Sequence, residues 1–281
     1  MRKFGFLAFA VLITAASAFP SISIKLIGGA IYLFGNDYNA GVRGTFNSLK
    51  ANYDSVTGTF RPLALGTSGA AEVIVPFDNG ISLGIGAGIF RIAVDNEFAY
   101  SWWTYSGKES FAPRLTVIPL TVNMHYHRPL GKALDVDLFG GAGGYLMRFR
   151  SESRSTSSFF GYDRVKTFTA QEMILGIQAG IALELRLFPH VAVVLQSEAR
   201  LAKTKYVKGD WTEEESWFLG SRKQEGQDSL FWFYSMTDAT GTYPQAEFST
   251  TEPYDSSYAY VRKGVIDLSG ISAAAGIKLS F

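Results

Sequence analysis

Ile271-Ser272-Ala273-Ala274-Ala275-Gly276-Ile277-Lys278-Leu279-Ser280-Phe281 alternates apolar with small or polar residues and stops on an aromatic. At a strand's period of two, Ile271, Ala273, Ala275, Ile277, Leu279 and Phe281 share one face, and Gly270, Ser272, Gly276, Lys278 and Ser280 the other. One face suits lipid and the other a polar interior. A solvated edge strand of a soluble sandwich would also alternate, but it would have no need of a terminal Phe.

Outward from this segment the same period recurs in eight stretches: roughly 21 to 34, 68 to 77, 81 to 95, 114 to 127, 133 to 150, 170 to 188, 191 to 206 and 259 to 281. The sixth shows it best. Met173, Leu175, Ile177, Ala179, Ile181, Leu183, Leu185 and Leu187 lie on one face, with Glu172, Gln178, Glu184 and Arg186 on the other. The seventh sets Val191, Val193, Leu195, Ala199 and Leu201 against Gln196, Glu198 and Arg200, and the fifth sets Leu134, Val136 and Leu138 against Asp135 and Asp137. In water such a continuous apolar exterior would aggregate. In a bilayer it is the solvent contact, and closure of the sheet leaves no backbone group unpaired in hydrocarbon.

Short and long connections alternate. The short ones are Asp78-Asn79-Gly80, whose Asn-Gly favours a primed hairpin turn, Arg128-Pro129-Leu130-Gly131-Lys132, and Pro189-His190; the long ones cover about 35–67, 96–113, 151–169 and 207–258. The expected fold is therefore all-β: an eight-stranded antiparallel up-and-down transmembrane β-barrel with four long external loops and short periplasmic turns. An even strand count puts both termini on the periplasmic side. Two places resist the pattern. Ile266 and Leu268 lie on the parity that is polar downstream, which predicts a bulge near Ser269-Gly270. Pro119 cannot donate to a ladder, which predicts a bulge or a position above the membrane.

Met1-Arg2-Lys3, an apolar run from Phe4 to Ala16 and Ala16-Ser17-Ala18 have the layout of an export signal cleaved after Ala18. Residues 1–18 are thus the signal peptide and 19–281 the barrel domain. Cleavage takes two of the 26 basic residues and none of the 25 acidic ones, for a formal charge of −1. That balance offers nothing to nucleic acid. With no Cys, disulfides and thiolate sites are excluded. Aromatics at 15% and 29 glycines suit aromatic girdles and tightly curved strands.

Parity assigns Lys25, Glu72, Asn123, His125, Asp135, Asp137, Glu172, Gln178, Glu184, Arg186, Gln196, Glu198, Arg200 and Lys278 to the interior. So narrow a lumen should be filled by these groups pairing across it. A pore or ligand cavity is the competing reading, drawn from inward Gly84, Gly86, Gly88, Gly141, Gly143, Gly176 and Gly180; inward Phe90, Phe139, Tyr145 and Met147 would fill that space. His125 and His127 share a face two residues apart, as a metal clip would, but no catalytic spacing or Gly-x-Ser-x-Gly elbow accompanies them. No catalytic residue, metal ligand or cofactor is assigned.

The 207–258 connection is too long for a structureless loop and predicts a sheet extension or a plug. Trp102, Trp103, Trp211, Trp217, Phe231, Trp232, Phe233 and Tyr234 are girdle and loop packing or, alternatively, a surface-interaction patch. Val42, Phe46, Leu49 and Tyr53 have helical spacing, which predicts a short amphipathic helix on the rim. Arg148 and Arg150, outward at the outer end of the fifth strand, are candidates to contact glycolipid phosphate.

The export signal, four hairpins, alternating connection lengths and the ending Gly276-Ile277-Lys278-Leu279-Ser280-Phe281 resemble the small eight-stranded outer-membrane barrels of Gram-negative bacteria over the whole mature chain. The resemblance implies that Gly276, Ile277, Leu279 and Phe281 are the assembly signal read by the barrel-assembly machinery after periplasmic chaperone transit. It also implies outer-membrane lipid and lipopolysaccharide as surroundings. The large last loop departs from the pattern, and with Phe281 last no periplasmic anchoring domain is expected. The leading expectation is a non-enzymatic structural or surface-interaction protein with an unknown external partner. A narrow channel, a lipid-modifying enzyme dependent on His125, and a soluble secreted ligand carrier are the alternatives.

Overall fold

In the computed structural model, which describes residues 22–77 and 79–281, the chain forms one large antiparallel sheet. The export signal expected over residues 1–18 lies outside the described residues. The elements are β1 (Ser23–Leu33), α1 (Asp37–Asn52), β2 (Ser55–Gly58), β3 (Leu65–Pro76), β4 (Ile81–Ala93), β5 (Asn96–Trp102), β6 (Tyr105–Pro129) and β7 (Leu134–Ser157). They continue as β8 (Tyr162–Phe188), β9 (Val191–Ala202), β10 (Lys208–Trp217), β11 (Gly220–Asp238), β12 (Gly241–Ser249), β13 (Tyr258–Lys263) and β14 (Gly270–Ser280).

Hydrogen-bonded pairing runs β1–β3–β4–β6–β7–β8–β9–β14, and β14 pairs back on β1 over Gly270 to Ser280, so the ladder closes on itself. Ile22 and Phe281 meet at this seam, where the Phe281 N–H donates to the Ile22 carbonyl at 2.9 Å. At the same end the turn joining β3 to β4 places Asn79 at φ 57° and Gly80 at φ 79°, the left-handed pair of a primed turn. Among the described residues no helix is long and apolar enough to cross a membrane.

The connections at the other end are not loops. Beside the eight strands of the ring the described residues hold six more, β2, β5 and β10 to β13, so the expectation of four long external loops is corrected. β6, β7 and β8 run far beyond their expected ends, and residues 208–249 form β10, β11 and β12, with β10 pairing on the outer half of β8 from Asp163 to Ala170. The alternation that drives β8 continues upstream, since Arg164, Lys166, Phe168 and Ala170 keep the inward parity. Beyond the apolar band these strands need only one another, because water satisfies whatever edge remains.

Neither expected bulge is present. Ile266 and Leu268 are 1% and 0% exposed and face inward with Gly270, and β14 pairs both neighbours without a register shift. They keep their parity because the outer half of the interior is apolar. At Pro119 the β4–β6 register is the same on both sides of a gap opposite Gly88 and Ile89, and the β7 ladder continues through Tyr145. The missing N–H therefore interrupts two pairs rather than shifting the strand.

The outward face carries a belt that includes Leu26, Ile85, Met124, Leu138, Leu175, Ile177, Leu183, Leu195 and Ile277, all exposed. Phe77, Tyr126, Phe188 and Phe281 ring its short-turn end. From Met173 to Leu187 the belt rises roughly 35 Å at about 3.3 Å per residue and a tilt near 40°, enough for a hydrocarbon core of ~30 Å.

Candidate functional site

Inside the ring the side chains form three zones, ordered by strand register. Nearest the short turns is a polar zone. Lys25 pairs with Glu72 at 2.5 Å with both side chains almost fully buried. Glu72 also accepts from the Asn123 amide at 2.7 Å and meets His125 Nε2 at 3.0 Å; His125 Nδ1 lies 2.8 Å from Asp137. Gln178 donates to Asn123 at 3.0 Å and accepts from the Tyr145 hydroxyl at 2.9 Å. Lys278 holds Glu184 at 2.8 Å, and Arg200 holds Glu198 at 2.7 Å while its guanidinium stacks on Phe90 and Tyr145. A cavity of about 70 Å³ lies among them. Buried Gln196 Oε1 and Arg200 Nε and Nη1, which have no protein partner, belong to residues that line it. Space and groups of this kind suit a few ordered waters.

Not every residue expected in the interior joins this network. Asp135 and Arg186 form a bidentate pair at 2.7 and 2.8 Å at the short-turn end of the barrel, where Arg186 is about half exposed. Glu172 stands apart, accepting the Lys208 N–H at 3.3 Å where β10 meets the flank of β8. Both departures have one reason: parity tells which face a residue takes but not its height along the barrel.

The middle zone is apolar. Leu33, Phe90, Ile92, Leu115, Val117, Met147, Phe149, Phe168, Phe231, Ile266 and Leu268 form one buried cluster with Tyr145 at its base. Each such side chain contributes roughly 1.5–3 kcal/mol on leaving water, so opening a passage through the cluster would cost many times the thermal energy.

The third zone is an outer cavity of about 280 Å³ beneath α1. The helix begins at Asn36, whose side chain accepts the Asn39 N–H at 2.8 Å. It lies across the mouth rather than along the rim: Phe46 stacks on Phe98 of β5 at 4.5 Å, Tyr38 meets Phe149 of β7 at 5.3 Å, and Gly44 rests against Pro244 of β12. A Cβ on Gly44 would collide with the Pro244 carbonyl. Gly44→Val is thus expected to lift α1 from the mouth while leaving the ring intact, read as new protease cleavage between β1 and β3 in a chain that still migrates as a folded species.

Arg164, Lys166, Glu109 and Glu247 line the outer cavity with Tyr38, Tyr234 and Ser151. Arg164 reaches Glu213 at 2.6 Å. Burial pushes the Glu109 carboxyl up, against the pull of its 2.6 Å bond from Ser155 and of Arg164. It pushes the Lys166 ammonium down, against Glu213. Burial and the neighbouring Glu247 raise the Tyr234 hydroxyl. In all three groups burial works against the charged form. Of the residues of this cavity only Tyr234 was a sequence-based candidate, and for a surface patch rather than a cavity. The signal was there, in the inward parity of Arg164 and Lys166 continuing the sixth segment upstream.

The aromatic candidates divide. Phe231, Trp232 and Tyr234 are buried in the wall, Phe233 lies under Arg262 at 4.6 Å, and Trp211 under Lys166 at 4.9 Å. Trp102, Trp103 and Trp217 are exposed at hairpin tips, joined there by Phe159, Phe218 and Leu219. Phe159, Trp217, Phe218 and Leu219 border an apolar groove of about 700 Å³. Arg148 and Arg150 face outward and are exposed, Arg150 lying 3.5 Å from Glu152. Ile277, Leu279 and Phe281 lie on the outer face, whereas Gly276 packs inward against Leu26 and Ile27.

No family model matches the chain, and no curated protein does. Among solved structures, it is similar to a major outer membrane protein from Thermus thermophilus, at 12% identity and a TM-score of 0.41, covering 93% of this chain and 99% of that one. It is also similar to the outer membrane protein OprG from Pseudomonas aeruginosa, at 11% identity and a TM-score of 0.35, covering 94% of this chain and 96% of that one.

Proposed function

We propose that the closed ring of eight strands is a transmembrane barrel of a bacterial outer membrane, with both chain ends periplasmic, and that it serves a non-enzymatic structural or surface-interaction role. The observation that carries this reading is the combination of an apolar belt around the outside with an interior filled along its length. An ion-paired zone, an apolar plug and α1 follow one another from the turns to the mouth, so the barrel supports a projecting head rather than a passage. The exposed aromatic tips at Trp102, Trp103, Trp217, Phe218 and Leu219 are what that head offers an external partner. Arg148 and Arg150, just beyond the belt, suit glycolipid phosphate. The terminal strand, with Gly276, Ile277, Leu279 and Phe281, suits recognition by periplasmic chaperones and the assembly machinery.

The channel reading has the 70 Å³ polar cavity in its favour, but the plug above it bars a continuous path. For a lipid-modifying enzyme, His125 would have to act from a position 0% exposed and enclosed by Glu72 and Asp137.

Outer-membrane fractions run unboiled and boiled in SDS test the membrane assignment, and planar-bilayer recordings on the same material test the seal. A faster unboiled band with no conductance steps is expected. Recovery in the soluble fraction without a mobility shift would overturn the membrane barrel, and regular conductance steps would overturn the sealed interior.

A further inference from the structure

We propose that His125, His127 and Asp137 form a binding site for one divalent transition-metal ion, with Zn²⁺ the best match to two imidazoles and a carboxylate. His127 and Asp137 face each other directly across the β6–β7 ladder, and His125 stands two residues along on the same face. The two imidazole rings lie nearly parallel, 5° apart, with centroids at 5.8 Å. One ligand atom from each of the three residues falls within 4.8 Å of the others.

The spacing suits a single ion. Around a metal ligated at about 2.0–2.1 Å, tetrahedral donor atoms stand about 3.3 Å from one another. Here Asp137 Oδ2 lies 2.8 Å from His125 Nδ1 and Asp137 Oδ1 lies 3.5 Å from His127 Nδ1, so the two carboxylate oxygens each face one imidazole across a gap of that order. The second of these is too long for a hydrogen bond, and Asp137 Oδ1 is a fully buried oxygen with no hydrogen-bond partner. An acceptor left open in that position is an invitation to a cation.

Charge points the same way. Lys25 is taken by Glu72 and Lys278 by Glu184, so the Asp137 carboxylate, 0% exposed, faces the two imidazoles without a lysine partner. The supporting groups are already placed. Glu72 accepts at 3.0 Å from His125 Nε2, and Lys25 and Asn123 hold Glu72 in turn. A carboxylate bonded to the far nitrogen of a ligating imidazole keeps the proton there and leaves the near nitrogen free for metal. His127 is 21% exposed beside the short turn, and it gives an ion a way in from that end.

The test is titration of the full chain, folded in detergent and free of any polyhistidine tag, with Zn²⁺ against a competing chelator, and with Co²⁺ followed by its visible absorption. One equivalent of Zn²⁺ and a tetrahedral Co²⁺ spectrum are expected. Binding should weaken at least tenfold in His127→Ala and in Asp137→Asn, and about 10- to 100-fold in Glu72→Gln, and should be unchanged in His190→Ala. Gel mobility before boiling reports the fold of each variant. Should Asp137→Asn fail to fold, partly exposed His127 still decides the matter. Absence of stoichiometric binding to the folded chain would mean that a proton on His125 balances Asp137, and it would overturn the site, as would a folded His127→Ala that binds like the parent.

Discussion

Replacing Lys25 with methionine is expected to destabilise the folded barrel by about 3–5 kcal/mol. The pair it forms with Glu72 lies in the polar zone, where the two side chains are 2% and 7% exposed. Removing the ammonium leaves a buried carboxylate supported only by Asn123 and His125. The cost arises from that stranded charge rather than from the worth of the pair, because desolvation offsets most of the attraction between two buried ions. The contrast is Arg186→Met. It breaks a pair of equally good geometry with Asp135, but Arg186 is about half exposed and water can take over, so a loss below about 1 kcal/mol is expected. Reversible urea unfolding in lipid vesicles measures both. Equal effects from the two variants would show that water reaches the polar zone freely.

Gly276→Val is expected to prevent closure altogether. Gly276 lies inward at the seam, opposite Ile27, and a Cβ there would run into the Leu26 carbonyl and the Ile27 Cα. These are backbone atoms of the partner strand and cannot rotate away, so relief requires β1 and β14 to separate. Every ring pairing depends on that seam, since without it the sheet has two open edges. The chain should then lack the fast-migrating unboiled form. Ala275→Val, one residue away with its side chain outward, should keep it. A normal mobility shift in Gly276→Val would mean that the seam is looser than the β1–β14 register indicates. The same glycine belongs to the terminal assembly signal, and refolding from urea into detergent separates the steric effect from failed recognition by assembly factors.

The two histidines, Asp137 and the ion pairs of the polar zone were all legible as inward positions, because period two places them on one face. Their partners were not. Lys25 and Glu72 are 47 residues apart in sequence and meet because β1 and β3 pair with Lys25 opposite Glu72. Asp135 and Asp137 share a face two residues apart, yet one lies at the short-turn edge with Arg186 and the other deep against His125. Ile266 and Leu268 illustrate the same limit. Their parity is legible in the sequence, but it implies a bulge only if the interior is polar throughout, and the interior is not.

Taken residue by residue, the chain already carries the alternation of faces in the ring strands, the tight turns at one end, the closing strand and a helix near residues 39–53. These are local properties, written in side-chain period and turn chemistry. The height at which each inward residue sits, and with it the polar zone, the apolar plug and the cavity beneath α1, emerges from the folded sheet alone. Height follows from the stagger between neighbouring strands, which is set by pairing over long separations and leaves the period of any single strand unchanged.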